Sequence, residues 1–454
     1  MVRGGGGDRS CRVGVSNRRS TPGAERTPPM SSTDAPPARP GADRAGAQRP
    51  VLAARNGVAA VFALNGLAVA TWFARVPAVR EALDLSAGGL GLLLLSMSLG
   101  ALLAMPTAGL VTQRLGAARA VVLGAALVAG GMIVAGTSAG LAGFLPGAAV
   151  GLFVFGYGAG TCDVAMNIEG TTVERRLGRT ILPRFHAAWS LGSVAGAGLG
   201  AGAARVGVPV AVHLSVLAAV VIVGTLLGAR SFLPEAGDAP AGGGTAAARR
   251  ASLLAAWREP RTLLIGLLVL VMAFAEGSAN DWLAVAFVDG YGLSEAAGAA
   301  VFGVFVVGMT IGRTAGTVAI DRWGRVPVLL GTTLLAGVGA CLAVLAGSGL
   351  VAIFGVALWG LGASLGFPVG LSAAADEEDG APARVSVVGV IGYTAFLGGP
   401  PLLGLLGDHV GTLRALLAVP LLLVPALALV PVLRESSRRV TPAGARDRPR
   451  APQG

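Results

Sequence analysis

The sequence predicts an all-α membrane protein of twelve transmembrane helices in two pseudo-symmetric six-helix halves. Three observations predict it. Hydrophobic residues make up 54% of the 454-residue chain and charged residues only 13%, far from soluble averages of about 45–50% and about 25%. Long stretches carry no charge at all, and a pattern in the first half returns in the second.

Each helix follows from where charge is missing, given that a span needs about 20 apolar residues. Runs at Gly57–Ala74 and Ala87–Gln113 supply the first two helices. Ala120–Cys162 contains no Asp, Glu, Lys, Arg or His and is long enough for two, with "GTSAGLAGFLPG" at 136–147 marking the turn between them. Phe185–Ala204 and Val206–Ala229 complete the first six. Thr262–Val288 and Ala296–Ile320 open the second six; Val326–Ala375 splits in two at "AGSG" (346–349), and Val385–Gly407 and Ala415–Leu433 complete the count.

Repetition supports the division into halves. "LDLSAGGLG" at 83–91 and "YGLSEAAGA" at 291–299 coincide at an offset of 208 residues, as do "QRLG" at 113–116 and "DRWG" at 321–324. The halves run over 51–230 and 261–434, joined by a linker at 231–260 whose Gly/Ala/Pro-rich part, "PEAGDAPAGGGTAAARR", is of the flexible kind. A six-plus-six arrangement places a binding site near the bilayer midplane, where the halves meet.

The net charge of +11 does not indicate nucleic acid, because the tails at 1–50 and 434–454 supply nine of those charges. Residues 1–50 are read as a disordered cytoplasmic tail without a signal peptide, with Met30 as a second candidate start, and 435–454 as a basic tail. Twelve spans put both tails on one side with "VERRLGR" (173–179), the linker and "DRWGR" (321–325). By the positive-inside rule that side is the cytoplasm and the membrane is the cell's inner (plasma) membrane. Cys11, Cys162 and Cys341 lack metal-like or pairing patterns, and His186, His213 and His409 are scattered. No enzyme constellation, metal or cofactor is therefore expected; the expected partners are a small-molecule solute, protons and membrane lipids, for a monomer.

"GTVAIDRWGR" at 316–325 resembles the cytoplasmic loop signature of the major facilitator superfamily. The resemblance implies that Asp321, Arg322 and Arg325 help to gate the cytoplasmic side, the bland alternative being topogenic arginines. In the first-half copy, "AGLVTQRLGAAR" (108–119), Gln113 replaces the acid.

The site candidates are polar residues set in apolar helices. Asp163 and Asn167, in "GTCDVAMNIEG", are four apart and share a face of the fourth helix. An acid at mid-membrane is costly unless it faces a cavity or a partner. The spacing Asp163-x-Ala165-x-Asn167 is similar to the acid-x-Ala-x-Asn pattern of fucose/proton symporter-like facilitators, which implies proton coupling at Asp163 and a solute hydrogen bond at Asn167. A further acid that those symporters carry late in the first helix has no counterpart in "NGLAVATWFARVP" (65–77). The alternatives are a structural pair between Asp163 and an Arg of the 175–184 loop, and helix-gluing by Asn167. Glu276 and Asn280 share a face of the seventh helix, where Glu276 either lines the cavity or neutralises Arg313.

Other polar residues have more local readings. Glu169 and Glu174 are expected to be solvated near the interface, Arg75 to snorkel outward, and Trp282, beside Asp281, to anchor at the outer surface. His186 either relays protons or bonds locally. "GGPP" (398–401) is expected to break the eleventh helix. The reading that leads is proton-coupled import of a polar or sugar-like solute, with efflux of an amphipathic compound and a non-transporting membrane sensor as alternatives.

Overall fold

A computed structural model describes residues 40–178, 181–234, 246–377 and 380–434. The two tails, Met30, Cys11 and most of the Gly-rich linker lie outside the described residues. The chain divides at Gly46, and the architecture below belongs to the unit from Ala47 onward.

The first six spans are α1 (Arg49–Ala74), followed by a short α2 (Val76–Ala82), then α3 (Ala87–Leu115), α4 (Ala117–Gly140), α5 (Leu145–Leu177), α6 (Leu182–Arg205) and α7 (Val210–Ala229). After a linker helix, α8 (Ala246–Ala256), come α9 (Pro260–Tyr291), α10 (Glu295–Trp323), α11 (Arg325–Leu345), the pair α12 (Gly349–Ala363) and α13 (Gly366–Ala374), α14 (Ala381–Val410), and finally α15 (Thr412–Ala415) and α16 (Ala418–Leu429). Among the described residues, 11 helical stretches are long and apolar enough to cross a membrane. The twelfth crossing is α6. It links α5, which ends beside the start of α8's linker, to α7, which begins beside Arg75 at the opposite end of the bundle.

The duplication is legible in backbone detail. Ser86 caps α3 by accepting from Gly89 N–H (3.1 Å), and Ser294, at the same offset, caps α10 through Ala297 N–H (3.3 Å). Gly116 (φ 83°) and Gly324 (φ 84°) turn the chain into α4 and α11 in a conformation that side chains rarely adopt. These caps and turns fix where each repeat's second span starts and stops.

Two details depart from the sequence expectation. α14 continues unbroken through Pro400 and Pro401. The tenth span is interrupted instead, between α12 and α13. Pro368 explains the position of the break, because its ring and missing N–H disrupt the helical bond to the carbonyl four residues earlier, at Ser364. The Ser364 hydroxyl meanwhile donates back to Leu361 O at 2.7 Å.

The bundle has two distinguishable ends. At the linker end, Arg261 reaches Asp376 (3.2 Å) and the Arg434 carbonyl, and Leu233 N–H reaches Glu169. At the far end, Arg75 donates to Val208 O (2.9 Å) and the Tyr291 hydroxyl to Ala343 O (2.9 Å). The six-helix sets meet along two seams, α3 against α14 and α6 against α10.

Candidate functional site

Asp163 and Asn167 belong to α5, which packs between α3 and α4 through glycines that bring backbones together. A Cβ at Gly131 or Gly151 would meet backbone of the facing helix at 2.5 Å. Asp163 lies about 21 Å from the Leu177 end of α5 at about 1.5 Å per residue, near the middle of the span. One turn apart, the two side chains touch: Asn167 Nδ2 donates to Asp163 Oδ1 at 3.3 Å and to its carbonyl at 2.8 Å. Both residues are partly exposed. Among the described residues, which leave out Arg179 of the 175–184 loop, no basic side chain pairs with Asp163.

Glu276, near the middle of α9, is held by Arg313 of α10 at 3.0 Å, with 12% and 28% of the two side chains exposed. The pair spans a depth difference, since Arg313 enters α10 closer to the linker end. Its guanidinium also lies over the Trp189 ring of α6, 5.7 Å from the centroid, which carries it across the seam between the two helix sets. His186, one turn before Trp189, packs edge-on against Phe62 of α1 (5.2 Å). Tyr393 of α14 stands within electrostatic reach of both Asp163 and Glu276. Its ring packs against Phe367 (5.8 Å) and Phe396 (6.0 Å). Asn280, a turn beyond Glu276, is partly exposed.

The loop charges stay within the second set of helices. Arg325 pairs with Asp376 at 2.6 Å, and Arg261 shares that carboxylate. Asp321 and Arg322 are exposed in the last turn of α10, with Arg322 over the Trp323 ring.

Several side chains occupy places the sequence did not indicate. Glu169 is buried rather than solvated, because Leu233 N–H, after α7, folds onto its carboxylate at 2.8 Å. Glu174 is partly buried and accepts from Ile181 and Leu182 N–H at the start of α6 (2.7 and 2.8 Å), satisfying donors that a helix N-terminus leaves free. Trp282 is 1% exposed and packs in the core instead of anchoring at the surface. Asp281 is only partly exposed, next to that buried ring. Arg75 does not snorkel: at 2% exposure it pairs with Glu295 of α10 at 3.0 Å. The acids that answer Arg75 and Arg80, Glu295 and Asp289, lie near the ends of second-set helices, more than 200 residues away along the chain.

Comparison with known proteins gives the constellation a family. The model of the Major Facilitator Superfamily matches residues 58–377 and 282–453. An uncharacterized transporter, y4wD, of Sinorhizobium fredii is 34% identical over 85% of this chain and 100% of its own length. Membrane protein MosC of Rhizobium meliloti is 28% identical over 80% of this chain and 86% of its own. Among solved structures, the nucleoside transporter NupG superposes with a TM-score of 0.64 at 11% identity, over 84% of this chain and 100% of that one. The fucose:proton symporter FucP of E. coli does so with 0.58 at 18% identity, over 86% and 100%. By these matches the chain is a secondary transporter and belongs to the Major Facilitator Superfamily.

Proposed function

We propose that this transporter imports a polar, sugar-like solute together with protons across the cytoplasmic membrane, with its linker end in the cytoplasm. One observation carries the reading: Asp163 sits at mid-span with an amide as its side-chain partner, whereas Glu276 is already matched by Arg313. A carboxylate with no counter-ion is costly in a closed, dry site, and a bound proton removes that cost. Asp163 is thus suited to take up a proton on one side and release it on the other as access alternates. Asn167, Asn280 and the Glu276–Arg313 pair offer donors and acceptors to hydroxyl groups, and Tyr393, Phe367 and Trp189 offer flat apolar faces. The structural neighbours fit this chemistry, since FucP is a fucose:proton symporter and NupG a nucleoside transporter. Asp321, Arg322 and Arg325 are assigned to the gate on the linker side, where their end of α10 meets α11.

The test is the thermal stability of the purified protein against sugars, nucleosides, organic acids and hydrophobic cations. A ligand at about 100 times its Kd stabilises the folded state by about 2.7 kcal/mol. A polar hit that weakens in Asp163→Asn is the expected result. Hits confined to hydrophobic cations would replace import with efflux, and a folded protein that responds to nothing would favour a sensor.

A further inference from the structure

The described ion pairs that cross between the two helix sets lie at the far end, and they are segregated by sign. Arg75, which follows α1, pairs with Glu295 at the start of α10 (3.0 Å). Arg80 of α2 pairs with Asp289 of α9, whose carboxylate is also held by the Thr412 hydroxyl (2.9 Å). Asp408, near the end of α14, accepts from Gly88 N–H at 3.0 Å and from the Ser86 hydroxyl at 3.3 Å. That third contact places a carboxylate on the positive end of α3, a helix of 29 residues. In all three contacts the first set brings the positive partner and the second set brings the acid.

Backbone geometry at the same end has the same character. A side chain on Gly88 would collide with the Asp408 carboxylate, and a Cβ on Gly404 would meet Ala87 O at 2.6 Å. α3 and α14 therefore touch almost backbone to backbone where the charges engage. At the linker end, by contrast, Asp376 with Arg261 and Arg325, and Arg384 with Glu259 and Glu377, all stay within the second set.

We propose that Arg75–Glu295, Arg80–Asp289 and the Asp408 cap on α3 form a three-point latch that holds the far end shut and must part for solute to enter there. These are positioning residues: they set which end is open and touch neither solute nor proton. The latch stands whichever solute is carried and in whichever direction.

The experiment uses the full-length protein in lipid nanodiscs, with Cys11, Cys162 and Cys341 replaced by Ala or Ser. Spin labels on Ala82→Cys and Arg414→Cys report the far end, and labels on Arg176→Cys and Arg258→Cys report the linker end. All four positions are exposed and outside the latch contacts. In the parent, pulsed electron resonance should give a short far-end distance. Asp408→Asn and Arg80→Gln should each raise the ratio of separated to closed far ends about five- to tenfold, with the linker-end pair drawing together. The exchanged pair Arg80→Asp with Asp289→Arg should restore the parent distances that Arg80→Asp alone loses. Asp408 and Asp289 are among the more exposed members, so their variants keep a folded core. Unchanged distances in folded Asp408→Asn and Arg80→Gln would overturn the latch, as would an exchanged pair no better than its single variant.

Discussion

Replacing Gly91 by alanine tests whether the α3–α14 seam really closes only in one state. A Cβ built on Gly91 stands 2.5 Å from Pro400 O and 3.0 Å from Pro401 Cα. Both obstacles are backbone atoms of α14, so no rotamer change relieves the contact. Since Cβ contacts below 3.0 Å are essentially never found, the helices must part by at least about 0.5 Å. Overpacking of this kind costs about 1–3 kcal/mol. If the seam opens when the transporter turns its other face, the cost falls on the closed state alone, and the ratio of open to closed far ends rises about 5- to 150-fold at about 1.4 kcal/mol per factor of ten. Gly109→Ala is the control, because it lies on the same helix with nothing within 4 Å of its Cβ. Alanine favours helix over glycine by about 0.8–1 kcal/mol at both positions and in both states, so that contribution cancels. The assay is the far-end distance distribution between labels at positions 82 and 414. Folded Gly91→Ala and Gly109→Ala proteins with the same distribution would show that the seam stays closed throughout the cycle, and the reasoning would fail.

Three other outcomes are expected. In proteoliposomes with an imposed potential, one proton per solute is worth about 2.3 kcal/mol per 100 mV, or about 50-fold accumulation. Asp163→Asn should reduce accumulation to equilibration while sparing solute exchange, and full accumulation in that variant would remove Asp163 from coupling. Glu276→Gln leaves Arg313 without its anion; because Arg313 keeps 28% exposure, the loss should fall below the 3–5 kcal/mol typical of deeply buried pairs, at about 1–3 kcal/mol. A scan of thermal unfolding checks this, and Glu276→Gln with Arg313→Gln should recover most of the loss. Glu169→Ala should release the segment after α7, seen as faster proteolysis between 231 and 260 with the membrane-embedded fragments intact; an unchanged cleavage rate would mean that Leu233 is held by other contacts.

What the sequence revealed was whatever depends on local spacing. Apolar runs located the spans, though helices such as α5 and α9 extend beyond them, because the uncharged stretch ends before the helix does. The repeat at an offset of 208 residues located equivalent positions, which the structure shows to be the caps Ser86 and Ser294, and the four-residue spacing placed Asp163 and Asn167 on one helix face, where their side chains touch. What stayed hidden depends on chain segments far apart in sequence. Glu169 looked solvated because nothing nearby foretells that Leu233, 64 residues on, supplies its donor. Arg75 looked like a snorkelling residue because its acid lies in the other repeat. The double proline at 400–401 suggested a break, but α14 tolerates it, while the single Pro368 coincides with one. Proline counts alone do not separate those cases, since the neighbours that re-satisfy freed carbonyls are invisible along the chain.

The two equivalent helix starts have become unlike in one respect. α10 carries its own acid, Glu295, in its first turn, whereas α3 has none there and takes its negative charge from Asp408 of the other repeat. The repeats are thus plug and socket, no longer interchangeable copies. Two first repeats brought face to face would oppose arginine to arginine and leave both α3 starts bare; two second repeats would crowd carboxylates together. A chain severed in its linker should therefore reassemble only as one of each kind, so the charges that join the halves also forbid like from pairing with like.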